Sequence, residues 1–199
     1  MKRFGLFGVL LLGAAAASAG EFNQVLKIGD AAPAWRELPG VDGKKHSLED
    51  LKGKKFVVVV FTCNSCPIAA DYEDRIIAFA KKYENDAAVV AINVNKIPAD
   101  SLPKMKERAE TKKFPYPYLF DETQQIAKKY GAMFTPEFFI LDADRKVVYM
   151  GGMDDNSNPK LVKETNLEPA MAALLIGEKP PKTETLARGC RIRWAKERK

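Results

Sequence analysis

FTCNSCP, Phe61–Pro67, sets two cysteines two residues apart, directly after a continuous apolar run and at the head of an amphipathic segment. The run, Phe56-Val57-Val58-Val59-Val60-Phe61, is short, β-branched and uninterrupted by polar residues, which predicts a strand covered on both faces. From Cys66 the period becomes helical: Ile68, Tyr72, Ile76, Phe79, Ala80 and Tyr83 share one side, with Asp71, Asp74, Arg75, Lys81 and Lys82 on the other. Cys63 is therefore expected at the junction of strand and helix. Unpaired backbone N–H groups and the helix dipole stabilise a thiolate there, so the reading predicts an accessible and reactive thiol.

Two other uses of the pair are weaker. A disulfide closing so small a loop stabilises by only about 2 kcal/mol in the chain-entropy model, a poor staple for a chain this long. A zinc site needs two further ligands, and the candidates are Cys190 and the single histidine, His46. Redox chemistry is what C-x-x-C in a strand-to-helix pattern points to, and the reading assigns neither a metal nor a cofactor.

The stretches that carry a family likeness are VDGKKHSLEDLKGKKFVVVVFTCNSCP, Val41–Pro67, and FTPEFFILD, Phe134–Asp142. They resemble the thioredoxin-like superfamily, and within it the redoxin branch similar to the alkyl hydroperoxide reductase and thiol-specific antioxidant group. The likeness covers roughly Ile28 to Gly177. It implies an α/β fold with a central mixed sheet, helices on both faces and an N-terminal β-hairpin extension, and it implies thiol chemistry while leaving the substrate open. The superfamily places a cis proline facing the disulfide, a role that the resemblance carries to Pro136.

The chain begins with Met1-Lys2-Arg3, an apolar run from Phe4 through Ala17, and Ala17-Ser18-Ala19 before Gly20. That reads as a secretory signal, residues 1–19, with cleavage after Ala19; a membrane anchor is the rival reading, but the run is short for a span and ends in small residues. The expected destination is the periplasm or the exterior. An oxidising compartment would require a dedicated donor to keep the pair reduced. Residues 20–178 are long enough for one domain with a full core, and a monomer is expected. The net charge of +6 does not signal a nucleic-acid partner. Residues 179–199 carry eight basic and two acidic side chains, so the positive balance belongs to a C-terminal tail and the body between leader and tail is slightly acidic. The bland reading is a solvated tail, with anionic lipid as the rival. No aromatic-interleaved basic stripe or zinc-finger spacing occurs.

Along the body, Val41-Asp42-Gly43-Lys44 predicts a small hairpin with His46 in its second arm. Ala87–Val94 predicts a second buried strand, with Asn93 and Asn95 at its active end. A surface helix is expected from Asp100 or Ser101 to about Lys112, and a helix from Glu122 to Tyr130 that Asp121 caps and Gly131 stops. Pro136 stands before the strand Glu137–Leu141, the place in a strand where proline is tolerated. Asp142–Lys146 turns into Val147–Met150, and a last helix runs from Leu167 to Ile176. Met150 and Met153 suggest copper only weakly, and packing is the plainer role.

These residues predict a thiol-disulfide oxidoreductase in which Cys63 attacks a protein disulfide and Cys66 resolves the mixed disulfide. The substrate would lie extended against the backbone of Thr135, and an external reductant or oxidant would complete the cycle. Glu137 is a candidate proton relay for Cys66. Two rivals remain. The resembling peroxiredoxin pattern sets a threonine three residues before the peroxidatic cysteine and a proline four before that; these positions hold Val60 and Phe56 for Cys63, and Cys63 and Val59 for Cys66. The other rival is a non-catalytic metal-binding or carrier module. Cys190, in Arg188-Gly189-Cys190-Arg191-Ile192-Arg193-Trp194, is a candidate third redox participant, because the arginines favour its thiolate. Ile192 and Trp194 offer the tail an apolar foothold from which Cys190 could bond to Cys63; a buried or unpaired tail thiol and an intermolecular bond are the alternatives.

Overall fold

In the computed structural model, which describes residues 20–195, strand β1 (Leu38–Pro39) pairs with β2 (Lys45–His46) as the expected hairpin. Strand β3 (Phe56–Thr62) leads through the cysteine loop into helix α1 (Pro67–Lys82) and then β4 (Ala87–Asn93). Helix α2 (Leu102–Lys112), β5 (Tyr118–Phe120) and helix α3 (Gln125–Tyr130) follow. Next come β6 (Phe134–Thr135), β7 (Glu137–Leu141), β8 (Val147–Gly151), helix α4 (Leu167–Leu175) and β9 (Cys190–Arg191). The signal-like segment lies outside the described residues. Among the described residues no helix is long and apolar enough to cross a membrane.

Five strands form one sheet in the order β5-β4-β3-β7-β8, with β3, β4 and β5 parallel and β7 and β8 antiparallel to their neighbours. Central β3 explains the uninterrupted apolar run. Val58 and Val60 face a core shared with Tyr72, Ile76 and Phe79 of α1, Met105 of α2 and Leu167, Ala170 and Met171 of α4. Val57, Val59 and Phe61 face the opposite core, built with Trp35, with Ile126, Ala127 and Tyr130 of α3, and with Ile192 of the tail. Burial of each such side chain is worth about 1.5–3 kcal/mol relative to exposure, so the strand is pinned from both sides. The mixed sheet with helices on both faces is the architecture that the family resemblance implies.

Two expectations change. Helix α3 starts three residues later than the sequence suggests, because the Asp121 carboxylate accepts the Ile126 and Ala127 N–H groups and Gln124 takes a left-handed conformation at φ 62°. The tail is expected to be solvated; its described part, to Ala195, docks on the body instead. Residues Thr183 and Thr185 exchange backbone hydrogen bonds with Met150 and so extend the sheet beyond β8. Farther on, β9 pairs antiparallel with β6, and Ile192 is only 4% exposed. An open sheet edge and an apolar core face supply what the tail's alternating Ile192 and Trp194 require.

Candidate active site

Cys63 lies just beyond the C-terminal end of β3, and Cys66 is the N-cap of α1 with Pro67 in the first helical position. The helix therefore begins one turn later than the placement of Cys63 requires. Its amide reaches the second cysteine: Ala69 N–H donates to Cys66 Sγ at 3.3 Å. Cys63 takes its contacts from hydroxyls, with Thr135 Oγ1 at 3.5 Å and Ser65 Oγ at 3.7 Å. The sequence reading put an accessible, activated thiol at Cys63. In the structure Cys63 is 3% exposed, and burial pushes its thiol above the ordinary value, helped by the negative charge of Asp100 and partly offset by the Thr135 and Ser65 hydroxyls.

The Thr135–Pro136 peptide bond is cis, and it brings the turn between β6 and β7 against the cysteine loop. Cys66 Sγ lies 3.2 Å from the carbonyl oxygen of Thr135. The same residue is paired with Cys190 in the β6–β9 ladder, and Cys190 is disulfide-bonded to Cys66 across a Cα–Cα distance of 5.9 Å. Cys63 is the free cysteine. The considered Cys63–Cys190 bond is thus corrected to Cys66–Cys190, for a reason of register: the ladder sets Cys190 opposite Thr135, whose carbonyl abuts Cys66, while the Thr135 side chain holds Cys63. Gly189 makes the approach feasible, since a Cβ there would sit 2.1 Å from the Thr135 carbonyl oxygen.

Two supports were not legible as site residues, and an expected one, Asn95, serves the tail. The buried Asp100 carboxylate accepts the Ser65 N–H at 2.8 Å and the Ser65 hydroxyl at 2.6 Å, fixing the residues between the cysteines. Tyr118 donates its hydroxyl to Asn64 Oδ1 at 3.0 Å. Asn95, expected near the cysteines, accepts the Arg193 N–H at 2.9 Å and so clasps the tail. These groups converge from the segment after β4, from β5 and from the loop before α2. No local pattern announces Asp100 or Tyr118, since a capping aspartate or a strand tyrosine looks alike in sequence whether or not it reaches a site.

Glu137 is 7% exposed, opposite Phe61 in the β3–β7 ladder. Its carboxylate accepts the Met133 and Phe134 N–H groups at 2.8 and 3.0 Å, so it is engaged with the loop before Thr135. Burial pushes its pKa up to about 7, with the two amides opposing. The fold favours the neutral acid, so the stability Glu137 lends is complete below its ordinary value of 4.5 and is lost as pH rises from there to about 7. E137Q is expected to remove that slope and to be more stable than the parent above neutrality by about 3 kcal/mol at most. Urea melts across a pH series check this, with the two proteins converging near pH 4.

His46 stays on the hairpin, its Nε2 3.0 Å from Asp42 Oδ1, away from the cysteines. Met150 and Met153 are buried packing residues. Among the described residues no group of three or more His, Cys, Asp or Glu side chains is placed to hold a metal ion.

Comparison with known proteins agrees with the geometry. A crystal structure of an uncharacterized conserved protein from Geobacillus kaustophilus is similar at 37% identity and TM-score 0.81, covering 87% of this chain and 95% of that one. Thiol-disulfide oxidoreductase ResA of Bacillus thuringiensis is 25% identical over 128 residues, 63% of this chain and 70% of ResA. Peroxidoxin BcpB from Mycobacterium tuberculosis, 24% identical with TM-score 0.56 over 67% of this chain and 90% of its own, shares the fold. The family model for AhpC/TSA matches residues 28–150, a span that holds Cys63, Cys66 and Pro136 and leaves Cys190 outside. With a thioredoxin-like sheet, a thiol pair at the end of its central strand and that match over most of its length, the chain belongs to the AhpC/TSA family.

Proposed function

We propose that the protein is a thiol-disulfide oxidoreductase of an exported compartment, acting on protein disulfides through Cys63 and Cys66. The observation that carries this reading is the meeting of both cysteines with Thr135 at the strand-to-helix junction. Cys63, as thiolate, attacks one sulfur of a substrate disulfide and expels the other as a thiolate. The Thr135 hydroxyl, 3.5 Å from Cys63 Sγ, is placed to donate to the sulfur while it is charged, whereas the Ser65 hydroxyl gives its proton to Asp100. Cys66 then attacks Cys63 Sγ, releases the substrate as a thiol, and leaves a Cys63–Cys66 disulfide for an external dithiol to reduce. The edge of β6, which β9 covers in this structure, would suit an extended substrate segment bound by main-chain hydrogen bonds once the tail is displaced.

Reduced protein should cleave the interchain disulfides of insulin with a dithiol donor, and should consume hydrogen peroxide far more slowly. The absence of a threonine and a proline at the peroxidatic spacing motivates the second half, since Val60 and Phe56 are buried apolar residues of β3. Peroxide turnover matching insulin reduction would put a peroxidase first. Stoichiometric metal in the purified protein, with no thiol turnover, would instead favour a carrier.

A further inference from the structure

We propose that Cys190 is the third thiol of the catalytic cycle: docked on Thr135 in the manner of a substrate strand, it takes the disulfide over from Cys63 and presents it to the reductant. This rests on the oxidoreductase reading and extends it. The tail occupies the edge that an extended substrate would use. β9 is hydrogen-bonded to β6 in the register Thr135↔Cys190, and Ile192 N–H continues the pairing to the Met133 carbonyl. Cys63, Cys66 and Ala69 form one small buried cluster, and Cys190 packs against it. The three cysteines therefore pack together.

The step balances without an added oxidant. After a substrate has been reduced, the enzyme holds a Cys63–Cys66 disulfide and a Cys190 thiol. The Cys190 thiolate attacks Cys66 Sγ; a Cys66–Cys190 bond forms, the Cys63–Cys66 bond breaks, and Cys63 leaves as a thiolate that takes up the proton Cys190 gave up. A donor dithiol then attacks Cys190 and expels Cys66, and its second thiol closes the donor's own disulfide and frees Cys190. With the tail docked, Cys190 is partly exposed whereas Cys66 is 2% and Cys63 3% exposed, so in that state Cys190 is the cysteine a donor can reach. Cys66 is the suited leaving group, because the Ala69 N–H already points at its sulfur.

The anchoring of the segment is built to hold Cys190 in place. Gln124 donates its side-chain amide to the Arg193 carbonyl and accepts the Ala195 N–H, while Asn95 holds the Arg193 N–H. On the other side of the cysteine, the Glu184 carboxylate receives the Glu21, Phe22 and Asn23 N–H groups. Gly189 fits under the Thr135 carbonyl, where any side chain would collide with backbone.

The test uses the full chain, fully reduced, then given one equivalent of oxidised glutathione, acid-quenched, alkylated and peptide-mapped. Recovery of a Cys66–Cys190 crosslink with alkylated Cys63 is expected. G189V keeps all three thiols but undocks the strand, and should shift the bond to Cys63–Cys66 with Cys190 alkylated. Under steady turnover with a protein dithiol donor, C190S should slow by about tenfold or more, since the donor must then reach buried sulfurs. A Cys63–Cys66 bond as the sole product in the wild type, or C190S turning over at the wild-type rate, overturns the relay while insulin reduction by the wild type keeps the oxidoreductase reading. A Cys66–Cys190 bond that persists unreduced while insulin is turned over marks a static staple and also overturns it. Failure of the reduced wild type to cleave insulin at all brings down both.

Discussion

C63S is expected to abolish reduction of insulin disulfides, with a loss on the order of 10³-fold or more, as befits removal of a nucleophile that no neighbour replaces. Serine keeps the approximate size and the hydrogen bonds to Thr135 and Ser65, so the loss would report chemistry and not collapse of the loop. The Cys66–Cys190 bond does not involve residue 63 and should survive in the variant, together with its thermal midpoint. Turnover and melting thus separate in one protein. Residual activity within tenfold of the parent would move the attacking role to Cys190, the more exposed residue.

Reduction of the Cys66–Cys190 bond should lower stability sharply. The bond joins residues 124 positions apart, and a loop of that size gives about 5 kcal/mol in the chain-entropy model before the ordering of the tail is subtracted. For a chain of this length each kcal/mol moves the melting temperature by about 2–4 °C, so a fall of about 10–20 °C is the upper expectation. Calorimetry with and without a phosphine reductant measures it, and C190S under the same reductant should melt with the reduced wild type. A shift below about 2 °C would mean that Ile192, Trp194 and the clasp at Arg193 hold the tail by themselves.

The parts of this molecule that sequence discloses are those with a period. The valine run of β3, the apolar stripe of α1, the alternation and length of β4 and the proline ahead of β7 all appear where local pattern and burial demand the same thing. The thiol pair was legible for the same reason, being a spacing set between two such patterns. What escaped is what the fold brings together from afar. Asp100 reaches Ser65 from the loop before α2, Gln124 adopts a backbone conformation that no pattern requires, and the partner of Cys190 is decided by a two-residue ladder. Cys63 was read as activated because a helix start was expected beside it; the turn of loop between Cys63 and Pro67 transfers that amide to Cys66.

Being pinned on both flanks, at Glu184 and at Arg193, the Cys190 segment behaves as a reagent supplied at fixed effective concentration. Closure of its disulfide is then first order, indifferent to dilution of the protein, and short tethers of this kind reach millimolar or higher effective levels. A free monothiol in the surroundings would have to match that level merely to compete for Cys66. If Cys190 relays the disulfide as proposed, a dithiol donor, which completes its second attack within the mixed disulfide, is expected to outperform a monothiol.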